Sequence, residues 1–215
     1  MPEVLAKSKL LQNSAGTMYF EAMRLFVGVP VPDGPALAIA ALASNRLAAL
    51  TSSARLRLTH PADLHLTLHF LGETPGERVA EAGAALRGIE CSQFPVETGA
   101  LRVFARAGAV YLEVGRPESL LALAEAVTGR METRGFRREA HPYHPHITIA
   151  RIARSAALTL EKDLSTAGRS QDDRSGLRFC AERFNLYRTS SHSEGSKYEM
   201  LLSFPLQTAP HHRSS

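Results

Sequence analysis

His65-Leu66-Thr67-Leu68 and His146-Ile147-Thr148-Ile149 are the same four-residue pattern, His–apolar–Thr–apolar, written twice in one chain of 215 residues. On a β-strand, successive side chains point to opposite faces. His65 and Thr67 then share one face, with Leu64, Leu66 and Leu68 on the other. His146 and Thr148 share a face in the same way, with Ile147 and Ile149 behind them. Either copy alone reads as an ordinary half-buried strand with a polar outer side. Two copies, each apolar at both alternate positions, point to function. Side by side, or facing one cleft, they would converge two imidazoles and two hydroxyls. That is the equipment for acid–base chemistry on a phosphate without a metal.

Working outward, the first copy sits in an apolar run over 64–71, introduced by the turn Pro61-Ala62-Asp63 and closed by Gly72. The second occupies 146–152, after a polar approach at 136–145 that is rich in Arg and His. Elsewhere the pattern predicts a strand at 23–30, a turn at Pro30–Pro35 and a helix over 36–50. A second helix over 77–89 buries Val79, Ala82 and Leu86. Two strands at 94–104 and 110–114 join around Arg106-Ala107-Gly108. Pro117-Glu118 opens a third helix that buries Leu120, Leu123, Ala124 and Val127 and ends at Gly135. A short helix at 158–164, a polar loop, and closing strands at 177–187 and 197–206 with a loop at 190–196 complete the domain. Residues 1–22 read as a flexible extension, 23–206 as a single domain and 207–215 as a disordered tail.

Composition narrows the class. The apolar share is 44%, the charged share 21% and the net charge +4, which is globular and mildly suited to an anionic ligand. Cys91 and Cys180 lie far apart without metal-ligand spacing, which fits a reducing, cytoplasmic setting. No apolar run approaches a membrane span, and no signal-peptide pattern opens the chain. No Gly-rich phosphate loop is present, which argues against nucleotide-binding Rossmann and Walker folds. His141, His144 and His146 are interrupted by Pro142 and Pro145 and match no familiar zinc spacing. Arg134, Arg137 and Arg138 form a basic run that is either a solvated loop or a guide for an RNA backbone. His69 falls by alternation on the face of His65 and Thr67, either solvent-facing or orienting an imidazole.

The two motifs, in the contexts 64–72 and His146-Ile147-Thr148-Ile149-Ala150-Arg151, resemble the two-histidine (2H) phosphoesterases. Within them the chain is most similar to the RNA 2′,3′-cyclic phosphodiesterases, historically called 2′–5′ RNA ligases. Met23-Arg24-Leu25-Phe26, the Pro145-His146 junction, Leu186-Tyr187 and Tyr198 extend the likeness over about 23–206. The resemblance implies an α+β, bilobal fold in which two antiparallel sheets line a central cleft with helices outside. It implies hydrolysis of a 2′,3′-cyclic phosphate at an RNA or oligonucleotide end to a 2′-phosphate, with no metal or cofactor, by a monomer. His65 would donate the proton and His146 accept it, while Thr67, Thr148 and Arg151 hold the phosphate. Simple alternation places Arg151, five residues beyond His146, on the wrong face, so a bulge, a bend or the strand end must bring it round. Leu58 stands where relatives often carry an aromatic, leaving Phe26, Tyr143, Phe136 or Tyr187 to meet a base. An RNA-end binding module and 2′–5′ end joining on the same site are the competing readings.

Overall fold

The computed structural model describes residues 10–12, 18–50, 56–166, 176–189 and 197–208. Near the start, β1 (Leu10–Gln12) and β2 (Met18–Phe20) pair as a separate two-stranded sheet. The remaining strands are β3 (Met23–Pro30), β4 (Leu56–Leu58), β5 (His65–Thr74), β6 (Phe94–Phe104), β7 (Ala109–Val114), β8 (His146–Ile152), β9 (Arg178–Ala181), β10 (Arg183–Thr189) and β11 (Tyr198–Pro205). All nine join one curled antiparallel sheet, in the order β11-β10-β3-β5-β8-β7-β6-β9, with β4 added beside β8. Four helices, α1 (Asp33–Leu50), α2 (Val79–Arg87), α3 (Glu118–Glu132) and α4 (Arg154–Thr166), pack on it. The α+β class is therefore as expected. The expected loop at 190–196 and the segments 1–9, 13–17 and 209–215 lie outside the described residues.

The sheet has two halves, and the motif strands are where they meet. β5 and β8 share one registered pair, Leu66 opposite Ile147. Past that point the strands part, and β4 takes the same edge of β8, with Leu56, Arg57 and Leu58 opposite Ile152, Arg151 and Ala150. The Thr59 amide continues the contact by donating to the Ile149 carbonyl at 2.9 Å. The linker from β4 to β5 therefore rims an opening in the sheet.

The aliphatic row behind the motifs anchors the core. Leu66 and Ile147 are wholly buried, and Leu64, Leu68 and Ile149 nearly so. On this back face α3 lies against β5, and α2 packs on α3 and β11. The stripe expected on α3 is buried as Leu120, Leu123, Ala124 and Val127. Among the described residues, no helix is long and apolar enough to cross a membrane.

Two expectations change. The strand expected at 177–187 is two strands. Glu182 interrupts it, and the chain passes from the β6 edge to the β3 side of the sheet. The Leu206 amide bonds to the Glu182 carbonyl at 2.8 Å and holds the crossover. The segment 56–58, unassigned from sequence, is a strand because β8 offers it an open edge. The short helix expected at 158–164 is longer, Arg154–Thr166.

Truncating Ile147 to Ala removes one member of the pair that joins the halves from a fully buried position. Urea unfolding is expected to show a loss of about 2–5 kcal/mol, the usual range for a large-to-small core change. A loss well below that range would mean that the two halves are not held at this pair.

Candidate active site

Continuing the Leu66–Ile147 register by one residue each way sets His65 opposite Thr148 and Thr67 opposite His146. Registered partners in an antiparallel ladder share a face. Both imidazoles and both hydroxyls therefore lie on the face opposite the buried aliphatic row. All four residues are half-buried, while their neighbours Leu66, Leu68, Ile147 and Ile149 are buried.

Each strand then bulges at the same place. In β5, Thr67 pairs with Gly28 and His69 with Val27, leaving Leu68 as the extra residue. In β8, Thr148 pairs with Tyr111 and Ala150 with Val110, leaving Ile149 extra. A bulge of one residue inverts the alternation beyond it. This brings Arg151 onto the face of His146 and Thr148, as its expected role requires. The same inversion corrects the placement of His69. It is turned to the back face, 3% exposed, with Nδ1 3.3 Å from the Thr128 hydroxyl on α3. Phe70 takes the position in the first strand that Arg151 holds in the second, and is 48% exposed.

The imidazoles are held alike. His65 Nδ1 lies 2.6 Å from the Asp63 carbonyl oxygen, and His146 Nδ1 lies 2.8 Å from the His144 carbonyl oxygen. A carbonyl only accepts, so Nδ1 carries the hydrogen and donates it in both rings. The Nε2 atoms are left for chemistry. Asp63 is itself fixed, because its buried carboxylate accepts the Lys197 and Tyr198 amides at 2.8 and 3.2 Å. Aromatic rings frame each histidine. Phe26 and Tyr198 stand 4.6 and 5.1 Å from His65, and Phe104 and Tyr111 stand 5.1 and 5.4 Å from His146. Gly28 leaves room for the first ring, since a Cβ there would sit 3.3 Å from His65 Cδ2 and 3.0 Å from the Leu66 carbonyl oxygen. Tyr143 donates to the Thr67 carbonyl at 3.1 Å, tying the approach to the second motif onto the first.

A cavity of about 450 Å³ opens here, lined by His65, Thr148 and Arg151 together with Asp63 and Tyr198, and walled by Ala40 and Ala43 of α1. Thr67 and His146 are not on its lining, although the register places them on the same face. Burial pushes His65 down to about 4, and the charges of His146 and Arg151 push the same way, against the pull of the Asp63 carbonyl and carboxylate. Burial also lowers His146, helped by His144 and Arg151 and opposed by the His144 carbonyl. Desolvation disfavours the charged ring in both cases. Burial therefore favours the neutral form of both imidazoles.

The other candidates separate. Among the described residues no three His, Cys, Asp or Glu side chains gather to hold a metal ion, and His141, His144 and His146 form no such group. Arg138 is engaged by Glu125 and Glu132 at 2.7 and 2.8 Å, so it is not an open guide for RNA. Phe136 is buried under the Arg78 guanidinium, 4.1 Å from its ring centre, and Phe26 is buried against Tyr187. Leu58 and Phe70 remain as exposed apolar surfaces near the site, at 41% and 48%. The sequence reading missed Asp63, Tyr111, Phe104 and Phe70. Phe70 was legible, because His65-x-Thr67-x-x-Phe70 and His146-x-Thr148-x-x-Arg151 have one spacing.

Solved structures share this fold. A solved structure described as a phosphoesterase matches with TM-score 0.72 at 22% identity, covering 87% of this chain and 100% of its own. E. coli LigT in complex with 3′-AMP matches with TM-score 0.69 at 24% identity, covering 86% and 99%. A Bacillus subtilis protein named RNA 2′,3′-cyclic phosphodiesterase is 34% identical over 131 residues, 59% of this chain and 69% of its own. One of the same name from Archaeoglobus fulgidus is 30% identical over 135 residues, 61% and 74%. The family model for the 2′-5′ RNA ligase superfamily matches residues 31–193, which include both motifs and Arg151, and the chain belongs to that superfamily.

Proposed function

We propose that the protein hydrolyses RNA 2′,3′-cyclic phosphate ends to 2′-phosphates, with two histidines and no metal. The observation that carries this reading is the matched anchoring of His65 and His146, each held through Nδ1 by the carbonyl two residues before it, with no hydrogen-bond partner for either Nε2 among the described residues. The relatives named RNA 2′,3′-cyclic phosphodiesterase support the same reaction.

His146 Nε2 accepts a proton from water as the water oxygen forms its bond to phosphorus. The bond from phosphorus to the ribose 3′-oxygen breaks, and His65 Nε2 gives that oxygen its proton. The product is the 2′-phosphate. Thr67, Thr148 and Arg151 donate to the non-bridging oxygens, where negative charge grows in the transition state. Burial favours the neutral form of His65, so the donor must be loaded. The phosphate supplies negative charge opposite Arg151 and lets His65 hold a proton as the substrate enters. Leu58 and Phe70 offer the terminal base an apolar surface. End joining is the same displacement with a 5′-hydroxyl in place of water, entering at the His146 side: its oxygen bonds to phosphorus, the bond to the 3′-oxygen breaks, and a 2′–5′ linkage remains.

The direct test is turnover of a short oligonucleotide ending in a 2′,3′-cyclic phosphate, with excess chelator, followed by mass spectrometry. The expected product is a 2′-phosphate end, with rates lowered at least about a thousandfold in His65→Ala and in His146→Ala, in line with loss of an acid or base that works as part of a unit. Binding without product would support the RNA-end module instead, and a 2′–5′ linked dimer would support joining. Chelator-sensitive turnover would replace this reading with a metal hydrolase.

The pH profile follows from the two depressed imidazoles. kcat/KM reports the unoccupied enzyme, falling below the base pKa and above the acid pKa. With both lowered by burial and by Arg151, the maximum is expected on the acid side of pH 6.5. Arg151→Met removes a charge that opposes protonation of both rings, so the maximum should move to higher pH as activity falls. A maximum left in place would show that Arg151 does not act on the two histidines.

A further inference from the structure

Arg57 and Arg151 are registered partners on antiparallel strands β4 and β8, both exposed. Such partners share a face, with Cβ atoms about 4.5–5.5 Å apart, and like charges set directly opposite each other are destabilising. Both side chains line the cavity of the active site, and Lys197 lines it as well. Among the described residues the carboxylate on that lining is Asp63, whose oxygens accept the Lys197 and Tyr198 amides. Among the described residues neither Arg57 nor Lys197 has an acidic partner within salt-bridge distance. Among the described residues, three cations thus face the cavity against one carboxylate, that of Asp63, and an anionic ligand stabilises such an excess of positive charge.

The three are not equivalent. The charge of Arg151 bears on His65, on His146 and on Tyr198. That of Arg57 bears on Tyr198 and on neither catalytic histidine. Arg57 sits on β4, beyond the point where β5 leaves β8, and faces the same cavity as Arg151. A mononucleoside cyclic phosphate carries a single negative charge, which Arg151 meets. The terminal nucleotide of an RNA carries a second, the phosphodiester on its own 5′ side.

We propose that Arg57 and Lys197 form a second phosphate subsite that reads the phosphodiester on the 5′ side of the terminal nucleotide. The inference rests on the phosphodiesterase reading and deepens it. The substrate class becomes a polynucleotide end, or a nucleotide already bearing a 5′-phosphate, in preference to a mononucleoside cyclic phosphate. A charge-assisted contact to each side chain gives the site its preference and makes it salt-dependent.

The test compares adenosine 2′,3′-cyclic phosphate with its 5′-phosphorylated form in wild type, Arg57→Gln and Lys197→Gln. The wild type is expected to favour the 5′-phosphorylated substrate in kcat/KM by about tenfold or more, the size of one charge-assisted hydrogen bond. Each variant should lose most of that ratio, and added salt should erode it. Equal kcat/KM for the two substrates in wild type, or a ratio untouched in both variants, overturns the subsite and leaves the phosphodiesterase reading standing. Calorimetry with adenosine 2′,5′-bisphosphate and adenosine 2′-phosphate gives a readout without turnover. Tighter binding of the bisphosphate that depends on Arg57 supports the subsite even if no substrate is hydrolysed, in which case it is the phosphodiesterase reading that fails. Equal binding of the two ligands overturns the subsite.

Discussion

The pairing of Leu66 with Ile147 is the constraint on which the rest of the structure depends. It is the single registered contact between β5 and β8, and it fixes three things together. It joins two half-sheets into one. It commits the aliphatic sides of both motifs to the core, where Leu66 and Ile147 are fully buried. It thereby forces His65, Thr67, His146 and Thr148 onto the opposite face. A slip of one residue would turn the polar set of one strand into the core and its aliphatic set out. Hydrophobic burial thus enforces the face on which the polar groups lie. The brevity of the contact matters too. Because β5 leaves β8 after this pair and β4 replaces it, the sheet opens into a cavity where a longer ladder would leave a flat surface.

The second layer is electrostatic. Each imidazole is fixed by a backbone carbonyl, which cannot itself ionise and so sets the tautomer at every pH. Burial of the site disfavours the charged form of both histidines. Asp63 links this to the outer strand, since its carbonyl holds His65 while its carboxylate holds the amide of Lys197, just before β11, and that of Tyr198, its first residue. Tyr198 follows in the same segment and packs edge-on against the His65 ring. The position of β11 and the orientation of His65 are thus set by one residue.

Much of this was legible in the sequence because its signals are local. The alternation of His65 to Leu68 and of His146 to Ile149 gave the strands and their buried faces. Pro117-Glu118 and Gly135 bounded a helix by capping physics. What failed did so where distant partners decide the outcome. His69 follows the alternation in sequence, yet a bulge at Leu68, imposed by pairing with β3, turns it to the back. Three residues at 56–58 carry too little pattern to signal a strand and are one only because β8 presents an edge. The break at Glu182 is invisible in a run that reads as continuous, since its cause is the separation of the β6 and β3 partners. Arg57 next to Arg151 is likewise a fact of register, as the two positions are 94 apart in the chain.

The central claim is that His65 and His146 serve one phosphorus atom from two sides. A crystal structure with a nucleoside 2′-phosphate bound tests it most directly. The account predicts the Nε2 atoms of both rings within about 3 Å of oxygens on the same phosphate, as proton transfer requires. A phosphate held by only one of the two rings, or seated outside the cavity beside Thr148 and Arg151, would contradict it.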